Sequence, residues 1–540
     1  MENREETLRR LSAAQKRLPE YKNAYLSLGR RDFKHIYPLV RGYILDRYLL
    51  TEEICPSDKL EELADKSLRY MLEQKRMGID LGQISRSCSG ASSVISKKVM
   101  TLKAVQDLFS VSMTPMEFAN ISTVTELAEF ICRHQKGCGK NSTGNHPAYT
   151  SSEGFDPMMV RRDFPALAQT LHDHPLVYLD NAATMQMPRQ VMEAVERVEF
   201  FRGNVHRGIH TLSTRCTDAY EQARAICAGF LGTQPGKITF TSGTTDSINL
   251  AAAAFREKTG GILVTELEHH SNFVPWQQMC RKTGKPFRTC PIQPDGTLDL
   301  DVLSSMLTPE IGLLAISECS NVLGMPMPLG EIIRLAHSRG IPVLVDGAQG
   351  ICHEDVNVTE MGCDYYAFSG HKLGAPFGIG VLYCKDSLPP MRYGGGMVDQ
   401  VGLEETTFLP TLEAGTPNVS GAVGLSEALK YRMRLPEGWQ EYEGSLLAYA
   451  QSRLSSLPGI RFLGSGKHMG CLSFTMDQAS AFQAAAALDQ SGIALRSGNH
   501  CAQPLHRKLG ISASLRVSVA FYNTMDEIDA LVEALSALLP

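Results

Sequence analysis

The chain has no Cys-x-x-Cys pair, although 14 cysteines are spread over its 540 residues. That absence excludes a zinc ribbon and a thioredoxin-like redox centre, and cysteines so scattered form no small-domain disulfide framework. Basic charge is not in excess: 53 Lys and Arg stand against 58 Asp and Glu, so nothing calls for nucleic acid or an anionic membrane as partner. No run approaches the length of a membrane span. The charged start Met1-Glu-Asn-Arg-Glu-Glu6 leads into no apolar stretch of the kind a secretory signal needs. Internal repeats and long low-complexity tracts are also missing. A cytoplasmic protein with reduced thiols is the expectation. What is present is a globular composition, 43% hydrophobic and 21% charged, on a chain too long for one ordinary domain.

The composition changes around Lys136–Pro157, where Gly, Ser, Thr and Asn gather into a linker-like stretch. Before it, residues 1–135 carry helical periodicity in Leu60–Met77, Val94–Phe109 and Thr123–Ile131, the last opened by a Thr cap, and predict a small helical domain. After it, apolar β-type runs at Lys237–Phe240, Gly261–Thr265, Ile311–Ile316, Val343–Val345 and Gly380–Tyr383 alternate with amphipathic stretches such as Leu329–Ser338. That alternation predicts βα units around a mostly parallel sheet, with a smaller α/β lobe toward the C-terminus. The expected division is 1–135, a linker over 136–157, and 158–540, with a large subdomain of about 191–419 and a small one of 158–190 plus 420–540.

Several segments carry chemistry. Lys372 ends the run Ser369-Gly-His-Lys372 behind a short β-type stretch, and Asp346 ends the apolar strand Val343-Leu-Val-Asp346. A lysine so delivered suits a Schiff base to pyridoxal 5'-phosphate, and the aspartate suits the pyridinium nitrogen of the same ring. Thr241-Ser-Gly-Thr-Thr245 lies between a strand and a helix expected from near Asp246; it offers free amides to a phosphate, or is an ordinary capped turn. Glu268-His269-His270 follows a strand end, where one imidazole can stack on the ring, although a His pair is also a common structural or metal-binding feature. No third ligand stands at metal spacing, so no metal is expected. Asn321 and Gln349 follow two further strands and can bond ring or substrate oxygens. Arg516, in the strand-like Leu515–Val519, suits a bidentate carboxylate or an internal salt bridge. Cys501 sits in a polar loop with Arg496 and His500, a setting that favours a thiolate, whereas most lone cysteines are inert. Gly464-Ser-Gly-Lys467 lacks the spacing of a phosphate loop.

Taken together these segments resemble the group II cysteine desulfurases, also called selenocysteine lyases, among the class V aminotransferase-like enzymes. The likeness runs from about Asp163 to the C-terminus. It rests on Tyr178-Leu-Asp-Asn-Ala-Ala-Thr184, Asn204-Val-His-Arg-Gly-Ile-His210, the Gly-Thr-Thr turn, Glu268-His-His270, Val274-Pro-Trp276 and Ser320-Asn-Val-Leu-Gly324. It rests equally on Asp346-Gly-Ala-Gln349, Ser369-Gly-His-Lys372, Glu413-Ala-Gly-Thr-Pro-Asn418 and the segment from Arg496 through Cys501 to Leu505. The resemblance implies a fold-type I PLP-dependent transferase: a large domain with a mostly parallel seven-stranded sheet and a small α/β lobe, here behind an all-α N-terminal domain.

By the same resemblance Lys372 is the Schiff-base lysine, Asp346 the pyridinium partner and His269 the stacking imidazole, with Gln349 near the phenolic oxygen. Thr244, Thr245, Ser369 and His371 are the phosphate ligands, and Thr416 reaches the phosphate of a neighbouring subunit, implying a homodimer. Asn321, Arg496 and Arg516 hold the substrate beside Ala182 and Ala183, and Cys501 takes the sulfur as a persulfide. The implied reaction converts L-cysteine to L-alanine, with L-selenocysteine a further substrate, and hands sulfur to an acceptor protein, as in iron–sulfur cluster assembly. Other readings of the same segments are a β-lyase, an epimerase, a kynureninase-like hydrolase or a non-catalytic PLP-binding scaffold. The later helices of residues 1–135 faintly resemble the last three helices of acyl carrier proteins. Ser89-Gly-Ala-Ser-Ser93 stands where the Gly-x-Asp-Ser-Leu attachment motif would be, so a helical docking domain without a phosphopantetheine arm is the expectation.

Overall fold

In the computed structural model the described residues are 155–538 except 207, and, before them, 13–28 and 32–76 apart from 15, 19, 53 and 54, scattered positions from 101 to 111, and 121–133 except 122. The chain divides into two compact units, Met1–Ala148 and Tyr149–Pro540.

In the first unit the described helices are α1 (Glu20–Leu26), α2 (Phe33–Tyr48), α3 (Leu60–Arg76) and α4 (Val124–Arg133). Ile36, Val40, Ile44 and Tyr48 lie at helical spacing on α2 and pack with Leu60, Leu63, Phe109, Leu127 and Ile131 into one core. The cap expected at Thr123 is a capping box. Its hydroxyl accepts from Glu126 N at 3.1 Å, and the Glu126 carboxylate accepts from Thr123 N at 3.1 Å. The buried Arg41 on α2 is satisfied by the Glu52 carboxylate and by the Cys55 and Ser57 carbonyls. Most of the expected helix Val94–Phe109, the segment Ser89–Ser93, and Cys138 with most of the 136–157 linker lie outside the described residues.

The second unit alternates strand and helix. Helix α5 (Thr211–Phe230) leads to β1 (Ile238–Thr241), α6 (Thr244–Ala254), β2 (Gly261–Thr265), α7 (His270–Thr283), β3 (Phe287–Cys290), β4 (Ile311–Ser317), α8 (Leu329–His337), β5 (Val343–Asp346), β6 (Tyr365–Ser369) and β7 (Gly380–Cys384). These strands form a seven-stranded sheet in the order β1-β7-β6-β5-β4-β2-β3. Only β7 runs against its neighbours; the other pairs within β6-β5-β4-β2-β3 are parallel, and β1, antiparallel to β7, shares their direction. Every residue of β2, β5, β6 and β7 is buried, as expected of strands covered on both faces. The expected strands coincide with these to within a residue or two at each end.

Past α9 (Val419–Met433) and α10 (Trp439–Ser455) the chain builds a second sheet from β8 (Ile460–Phe462), β9 (Cys471–Met476), β10 (Arg496–Gly498) and β11 (Ser514–Ser518), in the order β8-β9-β11-β10 and antiparallel throughout. Helices α11 (Ala481–Gln490) and α12 (Met525–Ser536) cover it, and Leu446, Leu472, Phe474, Leu515, Val517 and Leu531 fill its core. The short strand Val177–Tyr178, from the N-terminal side of the large domain, pairs in parallel with Ile493–Ala494.

One consequence of the consistent strand direction is that Thr241, Thr265, Ser317, Asp346 and Ser369 end their strands at one edge of the large sheet. Gly347 makes the turn out of β5 possible: a Cβ there would lie 1.9 Å from the Tyr366 ring. Gly444, in the middle of α10, has open space where its Cβ would be. Gly347→Ala should therefore lower stability by about 1–3 kcal/mol or prevent folding. Gly444→Ala should raise it by about 0.5–1 kcal/mol through helix propensity. Thermal unfolding of both variants beside the unsubstituted protein checks the pair; equal melting temperatures would contradict it.

Candidate active site

The strand ends at the sheet edge open into a cavity of about 380 Å³. Lys372 lies in its wall, delivered by a single 3₁₀ turn, Gly370–Leu373, directly after β6. Burial lowers its amine from the ordinary lysine range, opposed mainly by the nearby Asp346 charge. Burial raises the Asp346 carboxyl in turn, opposed by Lys372 and by a 3.1 Å hydrogen bond from Ala348 N. Each buried group thus favours the charged form of the other.

His269 caps α7: its Nδ1 accepts from Ser271 N at 3.1 Å, so the neutral ring carries its hydrogen on Nε2. Burial, then the Lys372 charge, pushes its pKa down to about 3, so the imidazole is neutral. Glu268 anchors the start of this helix. Its buried carboxyl accepts from Ser317 Oγ at 2.6 Å, Thr265 Oγ1 at 2.7 Å and Asn272 Nδ2 at 2.7 Å, and Asn272 in turn accepts from Trp276 Nε1 at 3.1 Å. Burial still raises Glu268 to about 7, and does the same to Glu318, which accepts from the Tyr366 hydroxyl at 2.6 Å.

The far end of the cavity is built for an anion. Helix α6 starts at Thr244, slightly ahead of the expected Asp246, because Gly243 takes φ 151°, a conformation open to glycine, at the cap. Thr244 N donates to Ser369 Oγ at 2.8 Å, and Thr245 Oγ1 lies 2.7 Å from Ser271 Oγ. His371 lines the same space, and its buried Nδ1 has no hydrogen-bond partner. A helix N-terminus, three hydroxyl side chains and an unpartnered imidazole nitrogen beside a buried lysine and aspartate fit the phosphate, the aldehyde and the ring nitrogen of pyridoxal 5'-phosphate.

The same cavity is lined by two arginines sharing one carboxylate. Arg496 reaches Asp180 through Nε at 3.1 Å and Nη2 at 2.9 Å, and Arg516 Nη2 lies 3.2 Å from Asp180 Oδ1. Arg516 Nη1 also donates to the Asn321 carbonyl at 2.8 Å, while its buried Nε has no partner. Of the two alternatives for Arg516, the internal salt bridge is present, and one donor stays unused. The side chains of Asn321 and Gln349 are already engaged, Asn321 Nδ2 with the His500 carbonyl at 2.7 Å and Gln349 Nε2 with the Ala182 carbonyl at 2.9 Å. Both act on the backbone as well as lining the cavity.

Cys501 is exposed at the cavity rim. It and His500 both take left-handed backbone, φ 56° and 49°. Such residues cost about 1–2 kcal/mol each, and the loop is held from outside by the Asn321 amide, by His270 N donating to the Cys501 carbonyl at 2.7 Å, and by Gln503 N donating to His270 Nε2 at 3.2 Å. Ala182, Ala183, Thr244, Thr245, His269, Asn321, Asp346, Gln349, Ser369, His371, Lys372, Arg496, Cys501 and Arg516 all line this one cavity. Thr416 does not; it lines a separate cavity of about 1140 Å³ with Arg224 and Arg392. Sequence reasoning gave no role to Asp180, Glu268 or Glu318. For Asp180, the signal within reach was two arginines assigned to one small substrate.

The class-V aminotransferase family matches residues 177–531. A cysteine desulfurase of Shigella sonnei is 42% identical over 401 residues, covering 71% of this chain and 98% of its own, and an Escherichia coli cysteine desulfurase matches equally well. Among solved structures, the E. coli cysteine desulfurase CsdA in its S-sulfonic acid form superposes with a TM-score of 0.66 at 38% identity, over 71% of this chain and 98% of its own. The apo cysteine desulfurase of Thermococcus onnurineus gives the same TM-score and coverage at 34% identity. The chain belongs to the class-V aminotransferase family and, within it, to the cysteine desulfurases.

The Glu268 pKa of about 7 in the fold stands above the ordinary carboxyl value of 4.5, so its protonated form stabilises the fold at low pH and that contribution is lost as pH rises from about 4.5 through about 7. Glu268→Gln removes the titration and misplaces one amide donor. The variant should melt below the unsubstituted protein at pH 5, and the gap should shrink at pH 8. Cofactor-free thermal unfolding at both values tests this; a gap that widens with pH would contradict it.

Proposed function

We propose that the protein is a PLP-dependent cysteine desulfurase that converts L-cysteine to L-alanine and lodges the sulfur on Cys501 for delivery to an acceptor. The observation that carries this reading is one cavity joining a buried lysine–aspartate pair, an arginine with a free donor and an exposed cysteine. A β-lyase, epimerase or hydrolase would have no use for that cysteine, and a scaffold none for the buried lysine.

Pyridoxal 5'-phosphate, held by Lys372, supplies the electron sink for the substrate's α-carbon. Thr244, Thr245, Ser369 and His371 hold its phosphate, Asp346 its ring nitrogen, and His269 its ring face. Arg516 pairs with the substrate carboxylate through the donors Asp180 leaves free. Lys372, freed when the substrate's amine takes its place and held below the ordinary lysine range by burial, takes the α-proton. The Cys501 thiolate then attacks the substrate sulfur: an S–S bond forms, the C–S bond breaks, and its electron pair stays with the carbon skeleton. That skeleton takes up a proton and leaves as alanine, and Cys501 remains as a persulfide. A thiol of the acceptor takes the outer sulfur and restores the thiolate.

Further features extend the proposal. L-selenocysteine fits the same donors and has a better leaving group. A homodimer is part of the proposal: Thr416, which lines a different cavity from Lys372, would reach the cofactor phosphate of a second copy. The helical unit is assigned to docking of the sulfur acceptor, with iron–sulfur cluster assembly a fitting destination. Free thiols spread through the described core suit a reducing, cytoplasmic setting.

Cys501→Ala should lower alanine formation from L-cysteine by at least about 10²-fold and abolish ³⁵S labelling of the protein, while retaining the cofactor's visible absorbance. Alanine formation at the unsubstituted rate would remove Cys501 from the reaction.

A further inference from the structure

His500 is 7% exposed, in the wall that also carries Cys501, Lys372, Asn321 and Arg516. Its Nε2 lies 3.0 Å from Ser514 Oγ. His506 Nε2 lies 3.0 Å from the same hydroxyl, and His506 Nδ1 lies 3.0 Å from the Ala502 carbonyl. A carbonyl only accepts, so His506 carries its hydrogen on Nδ1 and accepts the Ser514 proton at Nε2. The Ser514 hydroxyl, its hydrogen used, accepts from His500 Nε2–H. This order leaves His500 Nδ1 a bare lone pair, buried and without a hydrogen-bond partner. Burial, then the Arg516 charge, His506 and Arg496, disfavours the imidazolium and pushes the pKa down to about 3, so the ring is an acceptor that does not take the proton.

Arg516 Nε, the unpartnered donor in the same wall, serves the substrate carboxylate. The unused acceptor at His500 calls for a donor. The substrate's carboxylate only accepts and its amine is taken up at Lys372, whereas its thiol has a hydrogen to give. We propose that His500 recognises the substrate's sulfur as a neutral thiol, its Nδ1 accepting the S–H hydrogen before the sulfur meets Cys501. This assignment rests on the desulfurase reading of the site. A selenol is ionised at neutral pH and has no hydrogen to offer, so His500 favours L-cysteine over L-selenocysteine.

The test is equilibrium binding to full-length, cofactor-loaded Cys501→Ala protein, followed through the cofactor's absorbance. The ligands are L-cysteine and L-2-aminobutyrate, which replaces the thiol by a methyl group of similar size. With His500 present, L-cysteine should bind about fivefold more tightly than L-2-aminobutyrate, the worth of one modest hydrogen bond. In His500→Phe and in His500→Gln, which keeps a side-chain amide toward Ser514, that advantage should fall to about one. An advantage unchanged in His500→Gln overturns the assignment, whether or not His500→Phe folds. Alanine formation from L-cysteine by the unsubstituted protein is measured alongside. Its absence would refute the desulfurase reading, whereas alanine formation with an unchanged binding ratio would refute His500 alone.

Discussion

A buried amine and a buried carboxylate that sustain each other's charge are the constraint on which the rest of the large domain depends. Lys372 and Asp346 both lie where an isolated charge would be costly, and each offsets the burial of the other. They reach one cavity because β5 and β6 run parallel and end at the same sheet edge. The neighbouring strand ends place Glu268, His269 and Asn321 beside them, so strand direction alone gathers groups from four segments. The neutral His269 ring follows from the same cause, since a second cation beside Lys372 is excluded by burial and by the first.

The wall contributed by the small lobe works by different means. Asp180, Arg496 and Arg516 form a triad in which two cations share one anion, so one positive charge is left over. Cys501 stands beside it on a loop held in left-handed backbone by hydrogen bonds from Asn321 and His270, both on the large domain. The Cys501 thiol is exposed on a loop whose conformation is imposed from across the cavity, at an energetic cost the surrounding contacts offset.

Much of this was legible in the sequence. Strands carrying Asp346 and Ser369 announce themselves as short apolar runs, and a lysine, a threonine-rich turn and a histidine pair at strand ends are local patterns. The partners of these groups were not legible. Asp180 meets Arg496 and Arg516 across more than 300 residues, and no local pattern reports such a contact. Asn321 and Gln349 looked free to bond a ligand because their backbone partners, at His500 and Ala182, come from distant segments. The start of α6 was misplaced by two residues because Gly243 was read as turn rather than as the cap itself. The hydrogen placement on His500 depends on His506 and Ser514, and periodicity carries no trace of it.

Whether Lys372 is the residue that holds pyridoxal 5'-phosphate at the sheet edge can be measured directly. Borohydride reduction of the cofactor-loaded protein, followed by proteolysis and mass spectrometry, fixes the cofactor to the lysine that holds it. One pyridoxyl group per chain is expected, on the peptide containing Lys372. A pyridoxyl group on any other lysine, or its absence from a protein that retains the bound cofactor, would contradict it.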